Sequence, residues 1–319
     1  MAGHCKMIND IDIFVTSNSF SKNKILRKKM RDIFPKTKFN DTGLYLSSNQ
    51  LIKYANKSEG LVLGLEKIDE YVLSKLKNLK FISKYGVGID NIDLDLCKKK
   101  NIKVLYQKGV NSDSVAELTL SYIILLSRNA LTTNNLLKNK KIWKKNGGMQ
   151  LCELTVGIIG FGSIGRKIAS YLKKFGCKIL VNDLIDYSSV CKKYKYTFCS
   201  KDYLLSNSDI VTLHTSLNDS SYKMVDKNFL KKLKSTSYIV NTSRGDIINE
   251  EHFFKALENK EIAGAALDVF QNEPKINNNF LKFDNIFCSP HIAGNSNRAI
   301  IEMGNSAINN ILKYINTSN

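Results

Sequence analysis

The stretch Val156-Gly157-Ile158-Ile159-Gly160-Phe161-Gly162-Ser163-Ile164-Gly165 decides the fold. An apolar run enters three glycines at GxGxxG spacing, and a helical pattern over 166–175 leaves them. Ile164, Ile168, Leu172 and Phe175 recur at helical intervals on one face, and Gly176 stands where a left-handed C-terminal cap belongs. A second apolar run, Ile179-Leu180-Val181, ends near Asp183, eighteen positions beyond Gly165. Strand, tight turn, helix, strand and acid at this spacing imply a dinucleotide site. Glycines let backbone approach a pyrophosphate, and the helix N-terminus offers unpaired N–H groups. A bare glycine turn in an ordinary βα unit is the weaker alternative, because it leaves the helical face and the acid unexplained.

A carboxylate at Asp183 accepts hydrogen bonds from ribose hydroxyls and repels a 2′-phosphate. No arginine or lysine lies between Asp183 and Val190, so NAD is favoured over NADP. The unit starts near residue 150, so something else is built around it. Short apolar runs over 11–15, 61–63, 81–82 and 104–105 read as buried strands, with helical stretches over 71–79 and 91–99 between them. Ser114-Val115-Ala116-Glu117 fits a capping box ahead of the apolar run 118–127. Beyond Asp183, strands are expected over 210–214, 238–241, 263–267 and 286–288. A helical stripe (Ile300, Met303, Ala307, Ile308, Ile311, Ile315) closes the chain and is expected to pack on the first domain.

Composition sets the outer limits. At 319 residues the chain should form two domains, each burying its own core. The run 118–127 is too short to span a bilayer, and the polar first ten residues lack the apolar stretch of a secretion signal. Seven scattered cysteines without a CxxC favour reduced cytosolic thiols over disulfides or a metal site, and a cytoplasmic protein. The formal charge of +19 comes mainly from lysine, and arginine occurs at only six positions. The densest basic patch, 138–145, has one aromatic residue, Trp143. A solvated basic face, not a nucleic-acid site, is the expectation.

Three polar residues stand in settings suited to chemistry. Arg244 lies in Asn241-Thr242-Ser243-Arg244-Gly245-Asp246, directly after an apolar run, where a parallel strand delivers side chains to a crevice. Glu273 precedes Pro274 and His291 follows Pro290, in a chain with only three prolines. Singly, each has a plain reading as an ion pair, a loop acid or a structural histidine. Together they supply what reversible oxidation of a hydroxy acid needs. A guanidinium holds a carboxylate by two parallel bonds. An imidazole takes or gives the hydroxyl proton, and a carboxylate beside it orients the ring and favours its cation.

On these segments the chain resembles the D-isomer-specific 2-hydroxyacid dehydrogenases over nearly its whole length. Val156–Arg166 is similar to the family's nucleotide turn, 241–245 to its arginine segment, 266–274 to its Asp-Val-Phe-x-x-Glu-Pro segment and 289–294 to its Pro-His-x-x-Gly ending. The resemblance implies that Arg244 binds substrate, His291 is the acid/base and Glu273 its partner. It places Gly160, Gly162, Ser163, Ile164, Gly165, Asp183, His214, Thr242, Ser243, Asp268 and Gly294 at NAD. The loop Tyr85-Gly86-Val87-Gly88-Ile89-Asp90-Asn91 resembles the one whose backbone N–H groups hold the substrate carboxylate, so Val87, Gly88 and, further on, Asn111 are expected to bind substrate.

The implied architecture is two doubly wound, Rossmann-like α/β domains. A substrate domain over 1–108 and 296–319 would carry the NAD domain, 109–295, as an insertion, with the active site in the cleft between them. Gly64-Leu65-Glu66 and the 109–117 run resemble phosphoglycerate-dehydrogenase-type members without a regulatory domain, so 3-phosphoglycerate and 3-phosphohydroxypyruvate are the first expected pair. Those members place an arginine near Gly64 to grip phosphate, and this chain has none there, leaving Lys67 or Lys84 as the nearest charges. Hydroxypyruvate or glyoxylate is the alternative substrate, and an NAD-sensing co-regulator the minor one. The family also implies a homodimer through the NAD domain, with the segment over 118–143 reaching across.

Overall fold

The computed structural model describes residues 10–317. Residues 1–9, which include Cys5 and most of the polar N-terminal stretch, lie outside the described residues. The chain separates into two compact units. One runs up to Asn111 and resumes at Gly294, and the other is Ser112–Ala293. The sequence reading puts the passages at 108/109 and 295/296. Among the described residues no helix is long and apolar enough to cross a membrane.

The first unit holds β1 (Ile13–Val15), β2 (Lys38–Phe39), β3 (Gly60–Leu63), β4 (Phe81–Lys84) and β5 (Lys103–Leu105). They form one parallel sheet in the order β2-β1-β3-β4-β5. Strands β1, β3 and β4 are buried at every residue, which is why β1 and β3 read as continuous runs without polar residues; β4 follows Phe81-Ile82 with buried Ser83 and Lys84. Helices cover both faces. On one, the last helix, Asn297–Thr317, sets Met303, Ala307, Ile308, Ile311 and Ile315 against Phe20, Leu26, Met30 and Phe81. On the other, Leu51, Val72, Leu73 and Cys97 pack against Leu61, Leu63 and Ile82. Each fully buried large side chain contributes roughly 1.5–3 kcal/mol.

Two helices begin or end away from their expected places, for local reasons. Asp93 accepts the N–H of Leu96 at 2.9 Å and starts the helix at Leu94, not at residue 91. Asn91 is bonded instead to the carbonyl of Glu66 at 2.6 Å. The helix expected over 71–79 is Glu70–Lys75, capped by Asp69. Strand β2 has only two residues, too few to carry a periodic signal.

The second unit holds β6 (Thr155–Ile159), β7 (Lys178–Asn182), β8 (Thr197–Phe198), β9 (Ile210–Leu213), β10 (Tyr238–Asn241), β11 (Gly264–Leu267) and β12 (Ile286–Cys288). The sheet is parallel throughout, in the order β12-β11-β10-β9-β6-β7-β8. Strand order reverses between β6 and β9, and a parallel α/β sheet presents its ligand crevice at that point. The helix after the glycine turn is Ser163–Lys174, with Ile168, Ala169 and Leu172 buried. Phe175, expected on that face, is half exposed because the helix stops at Lys174. Gly176 at φ +83° supplies the left-handed residue that ends it, its N–H reaching the Lys173 carbonyl at 3.1 Å.

The expected capping box at Ser114 does not form. The helix Ser112–Ser127 has already begun there, and the Ser114 hydroxyl donates to the carbonyl of Ala293 at 2.6 Å. Tertiary contact has taken the hydroxyl that the local pattern assigned to a cap.

Candidate active site

Three neighbouring parallel strands deliver the chemical residues. Asn241, Leu267 and Cys288 lie in one register across β10, β11 and β12. The residues that follow them, Thr242, Asp268 and Ser289, therefore leave the sheet at the same edge. Arg244, Glu273 and His291 sit on the loops that start there.

His291 and Glu273 come together as expected, with Nδ1 2.6 Å from the carboxylate Oε2. The other oxygen, Oε1, accepts the backbone N–H of Phe270 at 2.9 Å, which fixes the carboxylate within its own loop. Both side chains are about a quarter exposed, so the pair is reachable yet partly desolvated. The Glu273–Pro274 peptide bond is cis. His291 itself adopts φ +54°, in the left-handed region that a β-substituted residue avoids unless its surroundings impose it.

The imposing group is Asp268. It is fully buried at the end of β11, and its carboxylate accepts from Ile292 N–H at 2.9 Å, from Ala293 N–H at 2.8 Å and from the Ser289 hydroxyl. Its carbonyl accepts from His291 N–H at 2.8 Å. Burial pushes the Asp268 carboxyl above its usual range, while the Ser289 and backbone bonds and the nearby His291 act to lower it. Asp268, expected at NAD, also holds the turn that carries the imidazole.

Arg244 is placed from the neighbouring loop. The side chain of Asn241, fully buried, accepts from Ser243 N–H at 3.0 Å and Ser243 Oγ at 2.7 Å, and donates to the Arg244 carbonyl at 2.8 Å. One guanidinium nitrogen donates to the Ser243 carbonyl at 2.7 Å. A Cβ on Gly245 would lie 2.0 Å from the Phe270 carbonyl carbon. Glycine there lets the arginine loop press against the loop that holds Glu273. Asn241 and Ser289 carry this arrangement, and nothing in their sequence setting marks them beyond adjacency to Arg244 and His291.

At the strand-order reversal the residues fit a dinucleotide. Gly160 is at φ +93°, and a Cβ there would lie 2.6 Å from the backbone of His214. A Cβ on Gly162 would meet nothing within 4 Å, so the backbone faces open space at the start of the helix Ser163–Lys174. No side chain caps that helix, whose leading N–H groups suit an anion. A Cβ on Gly165 would fall 2.1 Å from the Gly160 carbonyl oxygen, so the third glycine closes the turn onto the helix. Asp183 braces the turn, accepting from Phe161 N–H at 2.6 Å and Ile185 N–H at 2.9 Å. His214 bonds Thr212 through Nε2 at 2.9 Å, while its Nδ1 and the Thr215 hydroxyl are buried with no partner among the described residues. Two buried polar atoms beside Gly160 are what a polar cofactor would satisfy.

The remaining expected residues belong to the first unit. Val87 and Gly88 lie in the loop after β4, which turns through Gly86 at φ +113°. A Cβ on Gly294 would sit 2.8 Å from the Asn111 side-chain amide, so that close approach requires glycine. The two lysines nominated for a substrate phosphate stand in different settings. Lys84 is buried, donating to the Gly64 carbonyl and to Asn91 Oδ1 at 2.8 Å. Lys67 is exposed and paired with Asp69 at 3.6 Å. The Glu66 carboxylate, by contrast, is buried beside Gly64, 3.1 Å from where a Cβ would stand.

Comparison with known proteins agrees with this geometry. Residues 120–293 match the family model described as D-isomer specific 2-hydroxyacid dehydrogenase, NAD binding domain. A glyoxylate reductase of Thermofilum pendens is 36% identical over 280 residues, covering 84% of this chain and 82% of that one. A hydroxypyruvate reductase of Thermotoga maritima is 32% identical, covering 86% and 90%. Among solved structures, a D-lactate dehydrogenase from Aquifex aeolicus complexed with NAD and lactic acid superposes with a TM-score of 0.83 at 26% identity, covering 96% and 95%. The substrate named first from sequence, a phosphorylated one, is not the one these relatives are named for.

Burial drives the His214 imidazole down to a pKa of about 3, from 6.5. The unfolded chain therefore binds a proton at His214 as pH falls below about 6.5, whereas the folded chain stays neutral there until about 3. This stability is fully present above the upper value and is lost progressively down to the lower one. Denaturant unfolding at about pH 7.5 and about pH 4.5 should show a smaller acid loss in His214→Gln than in the wild type. Equal losses would mean that the ring is not held neutral.

Proposed function

As this chain belongs to the D-isomer-specific 2-hydroxyacid dehydrogenase family, we propose that it interconverts glyoxylate or hydroxypyruvate with the corresponding 2-hydroxy acid. The cofactor is NAD, held by the family's NAD-binding domain over 120–293. When bound, the reduced nicotinamide supplies the hydride that reaches the substrate's second carbon.

The protein's own residues supply the rest. The His291–Glu273 pair carries the reading. With Nδ1 committed to the carboxylate, proton exchange with the substrate oxygen falls to Nε2. Glu273 holds the ring in one orientation and stabilises its cation, the form that donates during reduction. Arg244 presents a planar fork suited to the substrate carboxylate and polarises the neighbouring carbonyl. Val87, Gly88 and Asn111 are proposed as further substrate-binding residues. Asp183, at the end of β7, favours a bare ribose hydroxyl pair over a 2′-phosphate.

An unphosphorylated substrate is favoured by the charges near Gly64. Lys84 is spent internally, Lys67 faces Asp69, and Glu66 would repel a phosphate. The names of the relatives point the same way. Turnover of glyoxylate, hydroxypyruvate and 3-phosphohydroxypyruvate, read at the NADH absorbance, decides the matter. Either unphosphorylated acid should be preferred by about ten-fold or more in kcat/KM. Preference for the phosphorylated one would return the substrate to the phosphoglycerate type, and absence of turnover would leave the co-regulator reading. His291→Ala should cost about 100-fold or more in kcat while NADH still binds. Undiminished turnover would remove the histidine from acid/base duty.

The partner is proposed to be a second copy of the chain. The helix Ala130–Lys140 buries none of its residues, and Leu137, Ile142 and Trp143 are exposed around one groove. Apolar surface of this kind fits an interface between copies. Light scattering should give twice the chain mass, and Trp143→Glu should lower it; a monomer in the wild type would refute this.

A further inference from the structure

The helix Ser112–Ser127 contains the apolar run read from sequence over 118–127, and within that run it carries two fully or almost fully buried hydroxyls on one face, Thr119 and Tyr122, three residues apart. Each reaches a different loop of the active site. Thr119 Oγ1 lies 2.9 Å from Thr242 Oγ1, two residues before Arg244. The Tyr122 hydroxyl bonds Ser289 Oγ, two residues before His291. Buried hydroxyls in an apolar helix cost free energy unless they are paired: Tyr122 finds its partner in the histidine loop, and Thr119, bonded also to the Val115 carbonyl of its own helix, finds a second one in the arginine loop.

The directions of the bonds follow from proton counting. Thr119 gives its proton to the Val115 carbonyl at 2.8 Å, so Thr242 must donate to Thr119. Ser289 gives its proton to the Asp268 carboxylate, so Tyr122 must donate to Ser289. The second relay, Tyr122 to Ser289 to Asp268, ends on the carboxylate that binds the N–H groups of Ile292 and Ala293. It thereby reaches the turn that holds His291 at its positive φ. Ser114 adds a third tie from the same helix, to the Ala293 carbonyl at 2.6 Å.

We propose that Thr119 and Tyr122 are positioning residues, which fix the arginine loop and the histidine turn to one rigid helix and so set the two groups against a common substrate. The proposal rests on the acid/base and carboxylate-binding reading of His291 and Arg244 given above. Neither hydroxyl touches substrate or cofactor in this scheme. Their effect is on the precision with which the loops are held, and displacement of order 1 Å costs turnover far more than it costs ground-state binding.

The test uses the whole chain, glyoxylate and NADH. Tyr122→Phe and Thr119→Val keep shape and volume and remove one hydroxyl function each. Each should lower kcat about ten-fold while the Kd for NADH, read by nucleotide fluorescence, stays within about two-fold. Thr119→Ser, which restores the hydroxyl, should recover most of the lost kcat. Should Tyr122→Phe fail to fold, the comparison of Thr119→Val with Thr119→Ser decides alone. Unchanged kcat in both variants overturns the proposal, as does a loss that follows only the folded fraction or that Thr119→Ser does not restore. His291→Ala is measured alongside. If it is inactive while Tyr122→Phe and Thr119→Val turn over normally, only the positioning role falls. If it turns over normally, the acid/base reading falls first and the positioning role with it.

Discussion

The buried carboxylate of Asp268 is the interaction on which the active site depends. A carboxyl sealed from water must be repaid by hydrogen bonds, and it finds them in Ser289 and in the N–H groups of Ile292 and Ala293. Those bonds fold the segment after β12 into a tight turn and push His291 to φ +54°. Strain at that residue is therefore imposed by the neighbouring strand, and it aims the imidazole ring at Glu273. Without a charge at this point the turn would have no reason to hold a histidine in a glycine-like conformation.

The parallel sheet converts distant sequence into a compact site. Arg244, Glu273 and His291 span almost fifty residues, but their loops leave three adjacent strands at one edge. Gly245 seats the arginine loop on Phe270, and Phe270 in turn holds Glu273. The same edge, further along the sheet, carries the glycine turn where strand order reverses between β6 and β9. The glycine turn and the His291–Glu273 pair thus belong to one continuous edge of one unit, supported by two hydrophobic clusters.

Selectivity is a matter of which charges remain available. Lys84 looks in sequence like a ready phosphate ligand, but it stands at the buried end of β4 and is held by Gly64 and Asn91. Its role there is to join the two ends of the loop over 85–91. The formal charge of +19 draws small anions in general, without choosing among them. Near Gly64 the Glu66 carboxylate is buried, Lys84 is bonded internally and Lys67 lies 3.6 Å from Asp69.

Much of this protein is legible in its linear order. The GxGxxG turn, the alternation of apolar runs and helical faces, and the sparse prolines beside Glu273 and His291 determine a parallel α/β fold and name its chemical residues, because each is a local pattern. Tertiary structure alone decided the rest. It buried Asp268 within the turn, drew Ser114 out of its cap, spent Lys84 inside the first unit, left Phe175 in solvent and gave β2 and β8 their pairing. In each case the outcome rests on a partner far away in sequence, on the burial it brings and on the hydrogen bonds that burial then demands, none of which a one-dimensional pattern contains.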